Sequence, residues 1–245
     1  MAAPDVAERA LPGQFVDVAV DTTNTLLRRP FSIYRTSRQG PWAGTVEFVF
    51  DVKGPGTRWL SERDTHDALD IVGPLGSAFP IPQQRVPCLL VGGGYGTAPM
   101  FFLAEELRGR GLRVDMIAGA RSSDRIFNAI EAKRITASVT FTTDDGSAGE
   151  QGQVTDVLED VARRCGSGVV YACGPMPMLR AVGELAGSLG LPCQVAVEEL
   201  MGCGVGVCWT CVVPIRQKDG SLKMKRSCLD GPVFNAAKVA WEACT

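Results

Sequence analysis

Apolar residues follow two different periods along this chain, and the change of period divides it. In the first part they alternate. Val46, Phe48, Phe50 and Val52 fall on one face of the run Thr45 to Val52, and Phe15-Val16-Asp17-Val18-Ala19-Val20 is a second short apolar-biased run. A period of two predicts half-buried strands. Turn residues separate the runs at Pro12-Gly13, Gly40-Pro41, Gly54-Pro55-Gly56 and Gly73-Pro74-Leu75-Gly76, where glycine and proline set the backbone angles. A small antiparallel β-barrel over residues 1–82 is the expected closure, because a closed sheet leaves no exposed edge.

From residue 83 to 198 strands alternate with helical patterns. Expected strands are Val86 to Val91, Arg113 to Ala118, Ser138 to Thr142, Val169 to Ala172 and Gln194 to Val197. Between them the pattern predicts helices over Ala98 to Arg108, Arg125 to Lys133, Thr155 to Arg164 and Met178 to Ser188. Pro99 falls in the first turn, where its missing N–H costs nothing, and Gly166 follows the third helix. This alternation predicts a doubly wound parallel sheet. The fold class is therefore multidomain, β plus α/β, with a further small unit over residues 199–245.

Ligands of such sheets bind beyond the carboxyl ends of the strands, and two loops belong there. Gly92-Gly93-Gly94-Tyr95-Gly96-Thr97 joins a strand to a helix, and its N–H groups suit a pyrophosphate. Thr97 stands where a strict G-x-G-x-x-G would carry its third glycine, so a plain tight turn is the competing reading. Cys173-Gly174-Pro175-Met176 follows the fourth strand; strand packing alone also accounts for Cys173. In the first unit, Arg28-Arg29-Pro30-Phe31-Ser32 sets a fixed cation, a rigid turn, an aromatic ring and a hydroxyl in succession. That suits a phosphorylated planar cofactor, with Arg29 on the phosphate; a solvated arginine pair before a buried strand is the alternative.

The strongest chemical signal is near the carboxyl end. Cys203, Cys208 and Cys211 stand in a C-x4-C-x2-C spacing, and Cys228 follows after sixteen residues. This is the plant-type [2Fe-2S] ligand pattern. Gly202, Gly204 and Gly206 suit the loop that three thiolates so close together require. Structural zinc and disulfides are the alternatives. Zinc sites usually pair two similar knuckles, and disulfides suit exported chains.

Composition narrows the classes. The chain has 245 residues, 45 % hydrophobic and 21 % charged, with a net charge of −2. No basic field favours nucleic acid. No apolar run reaches membrane-spanning length, and the start Met1-Ala2-Ala3-Pro4-Asp5 does not read as a secretory signal. A reducing cytoplasm is the expected location. Of nine cysteines, Cys88, Cys173 and Cys193 sit in strand-like apolar runs and read as buried hydrophobes. His66 is the one histidine and lies in a polar run, so a His-based triad or a histidine-rich metal site is excluded. Asp144-Asp145-Gly146 reads as a turn.

Taken together, these segments resemble the electron-transfer subunit of type B dihydroorotate dehydrogenase, within the ferredoxin-reductase-like superfamily. The resemblance runs from Pro12 to the C-terminal segment. Its most specific stretches are Arg29-Pro30-Phe31-Ser32-Ile33, Gly92-Gly93-Gly94-Tyr95-Gly96, Met201 to Cys208, and Cys228-Leu229-Asp230-Gly231-Pro232. It implies FAD on Arg29, Pro30, Phe31 and Ser32, with further contacts from Val49, Phe50, Asp51, Gly56 and Thr57. It implies NAD over Gly92, Gly93, Gly94, Tyr95 and Gly96 and over Cys173, Gly174, Pro175 and Met176. It implies a [2Fe-2S] cluster on Cys203, Cys208, Cys211 and Cys228. The implied partner is an FMN-containing dihydroorotate dehydrogenase catalytic subunit, in a heterotetramer of two of each subunit. Electrons from dihydroorotate would pass through the cluster and FAD to NAD in pyrimidine synthesis.

The chain departs from the family pattern in places. Only eleven residues precede Pro12, where one or two strands are usual; Asp51 stands where a basic residue is common, and Leu200 where an arginine is frequent. Arg121 and Ser122 could accept a 2′-phosphate, which keeps NADP beside NAD. Two other readings stand. One is the diaphorase subunit of another flavin iron–sulfur enzyme, of the sulfhydrogenase or NADH-dependent ferredoxin:NADP oxidoreductase type. The other is a zinc-stabilised nucleotide-binding regulator.

Overall fold

The structure is a computed structural model that describes residues 1–21 and 25–244. The chain opens with helix α1 (Pro4–Arg9), then strands β1 (Phe15–Val18), β2 (Arg29–Ser37) and β3 (Thr45–Phe48), helix α2 (Pro55–Ser61) and strand β4 (Ile71–Leu75). The expected antiparallel unit takes the form of a four-stranded sheet in the order β3-β2-β1-β4. Among the described residues β3 and β4 do not pair with each other. The residues before Pro12 cover the β3 side instead: Met1 and Val46 exchange main-chain hydrogen bonds, each of 2.9 Å. Val6, Ala7 and Ala10 join Val16, Val18, Ile33 and Val46 in one core. The strand expected to run to Val52 ends at Phe48, and the chain from Val49 turns toward the site described below.

A seven-stranded sheet follows, built from β5 (Cys88–Gly93), β6 (Val114–Ala120), β7 (Ser138–Thr143), β8 (Glu150–Gln151), β9 (Val169–Cys173), β10 (Cys193–Ala196) and β13 (Val233–Asn235). Its order is β13-β10-β9-β5-β6-β7-β8. Every pairing is parallel except that of β13 with β10. The connecting helices are α3 (Ala98–Gly109), α4 (Ala129–Ile135), α5 (Val154–Cys165) and α6 (Met176–Ser188). Alternate residues of one strand serve opposite faces. Cys88 and Leu90 pack with α3 and α4, while Leu89 and Val91 pack with α5 and α6. Burial on both faces makes these strands continuous apolar runs rather than alternating ones. The helix expected over Arg125 to Lys133 is interrupted: a single 3-10 turn at Ser123–Arg125 precedes α4, and Asn128 takes a left-handed φ of 45° between them. Asparagine tolerates that conformation better than most residues.

Beyond the cysteine loop, β11 (Val212–Arg216) and β12 (Leu222–Arg226) form a hairpin, followed by the short helix α7 (Ser227–Asp230). Val213 and Ile215 of the hairpin join the core shared with α5 and α6. The C-terminal segment is thereby sewn to the nucleotide-type sheet by β13 on one side and the hairpin on another. Among the described residues no helix is long and apolar enough to cross a membrane.

The antiparallel unit and the parallel sheet meet at β2. Tyr34 stands edge-on to Phe101 and Phe127 and accepts a 3.0 Å hydrogen bond from Asn128. Beside it Arg35 reaches Glu105 at 2.7 Å and Glu131 at 2.9 Å. Replacing Arg35 by Ala leaves the Glu105 carboxylate without its partner and Glu131 with Arg134 alone, and should cost about 1–3 kcal/mol in denaturant unfolding. Glu105→Gln, which leaves the Arg35–Glu131 pair in place, should cost less than about 1 kcal/mol. The Glu131 carboxyl is held below its ordinary value of 4.5, chiefly by Arg134 and also by Arg35. Its contribution is therefore complete above that value and fades as pH falls through the depressed one.

Candidate functional site

A cleft of about 950 Å³ opens where β2 and the segment after β3 face the carboxyl ends of β5, β6, β9 and β10. This is the crevice where a parallel sheet binds ligands. It brings together residues that lie far apart in sequence. Pro30, Phe31, Ser32, Val49, Phe50, Asp51 and Thr57 form one side; Gly93, Gly94, Tyr95, Gly96, Cys173 and Pro175 form the other. Phe31 is fixed by stacking on Phe48 at 4.8 Å between ring centres. The Thr57 hydroxyl is already engaged, accepting from the N–H groups of Lys53 and Gly54 at the start of α2.

Five of the expected residues are not among those lining the cleft. Arg29 and Gly56 sit together, because a Cβ on Gly56 would stand 3.4 Å from Arg29 Nε. Among the described residues Arg29 forms no ion pair; its guanidinium donates to the carbonyls of Leu27 and Arg28. Gly92 and Gly174 are buried backing, and Met176 begins α6 and packs toward the core. The two loops touch. A Cβ on Gly96 would lie 2.6 Å from the Cys173 carbonyl oxygen and from the Gly174 backbone, closer than any real side chain tolerates. Burial pushes the Cys173 thiol well above its ordinary value, so it stays neutral and is a wall rather than a nucleophile.

Several lining residues carried no clear signal of their own. Lys53 supplies a cation two residues beyond Asp51, and Arg125 joins Arg121 and Ser122 at the end of β6. Asp124 sits beside two of these residues: it accepts from the Ser122 hydroxyl at 2.5 Å and lies 3.5 Å from Arg125. Glu198 and Glu199 line the cleft just after β10.

The cysteine loop forms the next wall. Phe15 and Met201 line the cleft and also pack with Cys211 and Cys228. Backbone N–H groups are aimed at the sulfurs: Val207 and Cys208 donate to Cys203 Sγ at 3.2 and 3.4 Å, and Cys228 donates to Cys211 Sγ at 3.4 Å. The Thr210 hydroxyl donates to Cys208 Sγ at 3.2 Å. With Cys203 it lowers the Cys208 thiol to about 6. Burial raises Cys228 to about 12, with Cys211 beside it. The thiols thus fall into two neighbouring pairs, Cys203 with Cys208 and Cys211 with Cys228. Among the described residues no three His, Cys, Asp or Glu side chains gather around one point as for a single metal ion. A two-iron cluster needs two separate thiolate pairs with donors to sulfur, and the donor set fits it. Arg226 locks the loop by donating to the Gly206 carbonyl at 2.7 Å and stacking on Trp209 at 4.6 Å.

Residues 198–240 match the model of the iron–sulfur cluster binding domain of dihydroorotate dehydrogenase B, and residues 90–184 match the oxidoreductase NAD-binding domain. The dihydroorotate dehydrogenase B (NAD(+)) electron transfer subunit of Desulforamulus reducens is 38 % identical over 241 residues, covering 98 % of this chain and 90 % of that protein. Its namesake in Geobacillus kaustophilus is 39 % identical over 237 residues, covering 96 % and 88 %. The chain belongs to the family of dihydroorotate dehydrogenase B electron transfer subunits.

Solved structures extend the likeness. An NADH-dependent reduced ferredoxin-NADP oxidoreductase, studied for flavin-based electron bifurcation, superposes with a TM-score of 0.84 at 32 % identity. It covers 98 % of this chain and 83 % of its own. The ferredoxin reductase of carbazole 1,9a-dioxygenase, at 23 % identity and a TM-score of 0.62, covers 75 % and 57 % and shares the fold. In this family member, Gly96→Ala should force the two cleft loops apart and weaken dinucleotide binding at least about tenfold, the effect of a 1.4 kcal/mol loss. Titration calorimetry with NADH reads it; an unchanged affinity would remove the loop contact from the binding surface.

Proposed function

We propose that this chain carries electrons between a dihydroorotate-oxidising partner subunit bearing FMN and the nicotinamide nucleotide NAD, within pyrimidine synthesis. The observation that carries this reading is the shared wall. Phe15 and Met201 touch both the cleft and the cysteine pairs, so a centre in the cleft and a centre on the sulfurs are neighbours. Bound there, FAD and a [2Fe-2S] cluster supply exchange between two-electron and one-electron steps. The chain would be organised as an FAD-binding unit over residues 1–82, an NAD-binding unit over 83–198 and a cluster unit over 199–245.

The protein's own work is placement. Arg29 would hold a cofactor phosphate, and Pro30, Phe31 and Ser32 would present one edge of β2 to the flavin ring. Val49, Phe50, Asp51, Gly56 and Thr57 would complete that side. Gly92 to Gly96 would offer backbone N–H groups to a pyrophosphate at the start of α3. Cys173, Gly174, Pro175 and Met176 would close the nicotinamide side without contributing a nucleophile. Cys203, Cys208, Cys211 and Cys228 would hold the cluster, with the amides of Val207, Cys208 and Cys228 donating to its sulfurs. The partner assembly would be a heterotetramer of two copies of each subunit, in the cytoplasm. Asp124, beside Ser122 and Arg125, would favour the unphosphorylated ribose of NAD over NADP, because a carboxylate repels a 2′-phosphate.

A second reading follows from the structural likeness to the NADH-dependent ferredoxin-NADP oxidoreductase: the same cleft and loop would serve a different partner enzyme. Copurification with an FMN-bearing dihydroorotate oxidase decides between them. In Cys208→Ser, bound iron should fall and electron exchange with the partner should stop. Oxidation of NADH with an artificial acceptor should persist, because the FAD and NAD sides are untouched. Full partner activity in that variant would contradict the relay.

A further inference from the structure

Strand β1 has two outward side chains that face the cysteine loop. Val16 and Val18 turn into the core of the antiparallel unit, while Phe15 packs on Cys211 and Cys228. Asp17, on the same face as Phe15, is 3 % exposed. Its carboxylate lies directly over Gly204, the residue after Cys203: a Cβ placed on Gly204 would meet Asp17 Oδ2 and stand 3.0 Å from Cγ. Gly204 has a φ of +67°, so glycine there serves both the turn and the approach of the carboxylate.

The carboxylate is weakly neutralised. Arg28 and Arg29 are the charged groups that act on it. Arg28 is drawn away, pairing with Asp70 Oδ2 at 2.6 Å and reaching only the main-chain oxygen of Asp17, at 3.4 Å. Among the described residues no group donates a hydrogen bond to the Asp17 carboxylate. Burial raises its proton affinity, and the two arginines oppose that. The carboxylate therefore faces the loop with neither an ion pair nor a hydrogen-bond donor on its oxygens among the described residues.

We propose that Asp17 is the electrostatic tuner of the four-cysteine centre, holding its reduction potential down so that electrons leave it toward the flavin. The inference rests on the reading that these cysteines bind a [2Fe-2S] cluster. One electron added to such a cluster adds one negative charge to a site that already carries four thiolates. A buried carboxylate beside the loop opposes that charge, and does so more strongly where water is excluded. Net charge, sulfur hydrogen bonds and exposure set cluster potentials; the amide donors to the sulfurs push the potential up, and Asp17 pushes it down.

The test is a redox titration of the anaerobically purified holoprotein, followed by the electron paramagnetic resonance of the reduced cluster. Wild type, Asp17→Asn and Asp17→Ser are compared at equal iron content. Glu159→Gln, an exposed carboxylate paired with Arg163 on α5, controls for loss of charge alone. Both Asp17 variants should shift the cluster midpoint upward, and Glu159→Gln should leave it in place. An unchanged midpoint in either iron-loaded Asp17 variant overturns the proposal. Loss of iron from both variants also overturns it, since Asp17 would then hold the loop rather than tune it. A wild-type chain without iron defeats the cluster reading itself, and iron analysis registers that before any titration.

Discussion

The structure depends on how tightly β1 is pressed against the cysteine loop. Electron exchange between two centres weakens steeply with separation, so a flavin cleft and an iron–sulfur loop are useful only if little lies between them. Here the two surfaces share side chains: Phe15 and Met201 belong to both. Glycine makes that closeness possible, since Gly204 leaves room for the Asp17 carboxylate where any Cβ would collide. The N–H groups of Val207, Cys208 and Cys228 then hold the sulfurs at fixed positions.

A second close approach sets the other half of the site. Gly96 meets Cys173 and Gly174 with no space for a side chain, so the loops after β5 and β9 form one continuous floor. The clasp of Tyr34 and Arg35 with Phe101, Asn128, Glu105 and Glu131 holds this floor opposite Pro30 to Ser32. The position of the cleft is thus fixed by contacts outside it. The C-terminal β13, paired with β10, ties the cysteine segment to the same sheet.

Much of this was legible in the sequence because the signals were local. The strand–helix alternation from residue 83 to 198 follows from apolar runs of fixed length, and the elements lie within a few residues of their expected bounds. The cysteine spacing names its chemistry because ligand geometry restricts it. Other features depend on contacts between distant segments. β13 is three residues long and follows Gly231-Pro232, too short for any period to show. The break before α4 rests on one left-handed Asn128. Lys53 and Arg125 enter the cleft only through the fold. Asp17 looked like one polar residue in an apolar run, and only the loop packed above it shows why a carboxylate there matters. Alternation along Phe15 to Val18 was the available clue, since it sets Asp17 on the face of Phe15 and away from Val16 and Val18.

The central claim is that one polypeptide carries a flavin and a two-iron centre on either side of this shared wall. Quantitation of metal and flavin, with a visible spectrum, on protein purified under argon tests it most directly. The account predicts a brown-yellow protein with about two irons and about one FAD per chain. A colourless protein, or one holding zinc in place of iron, would contradict it.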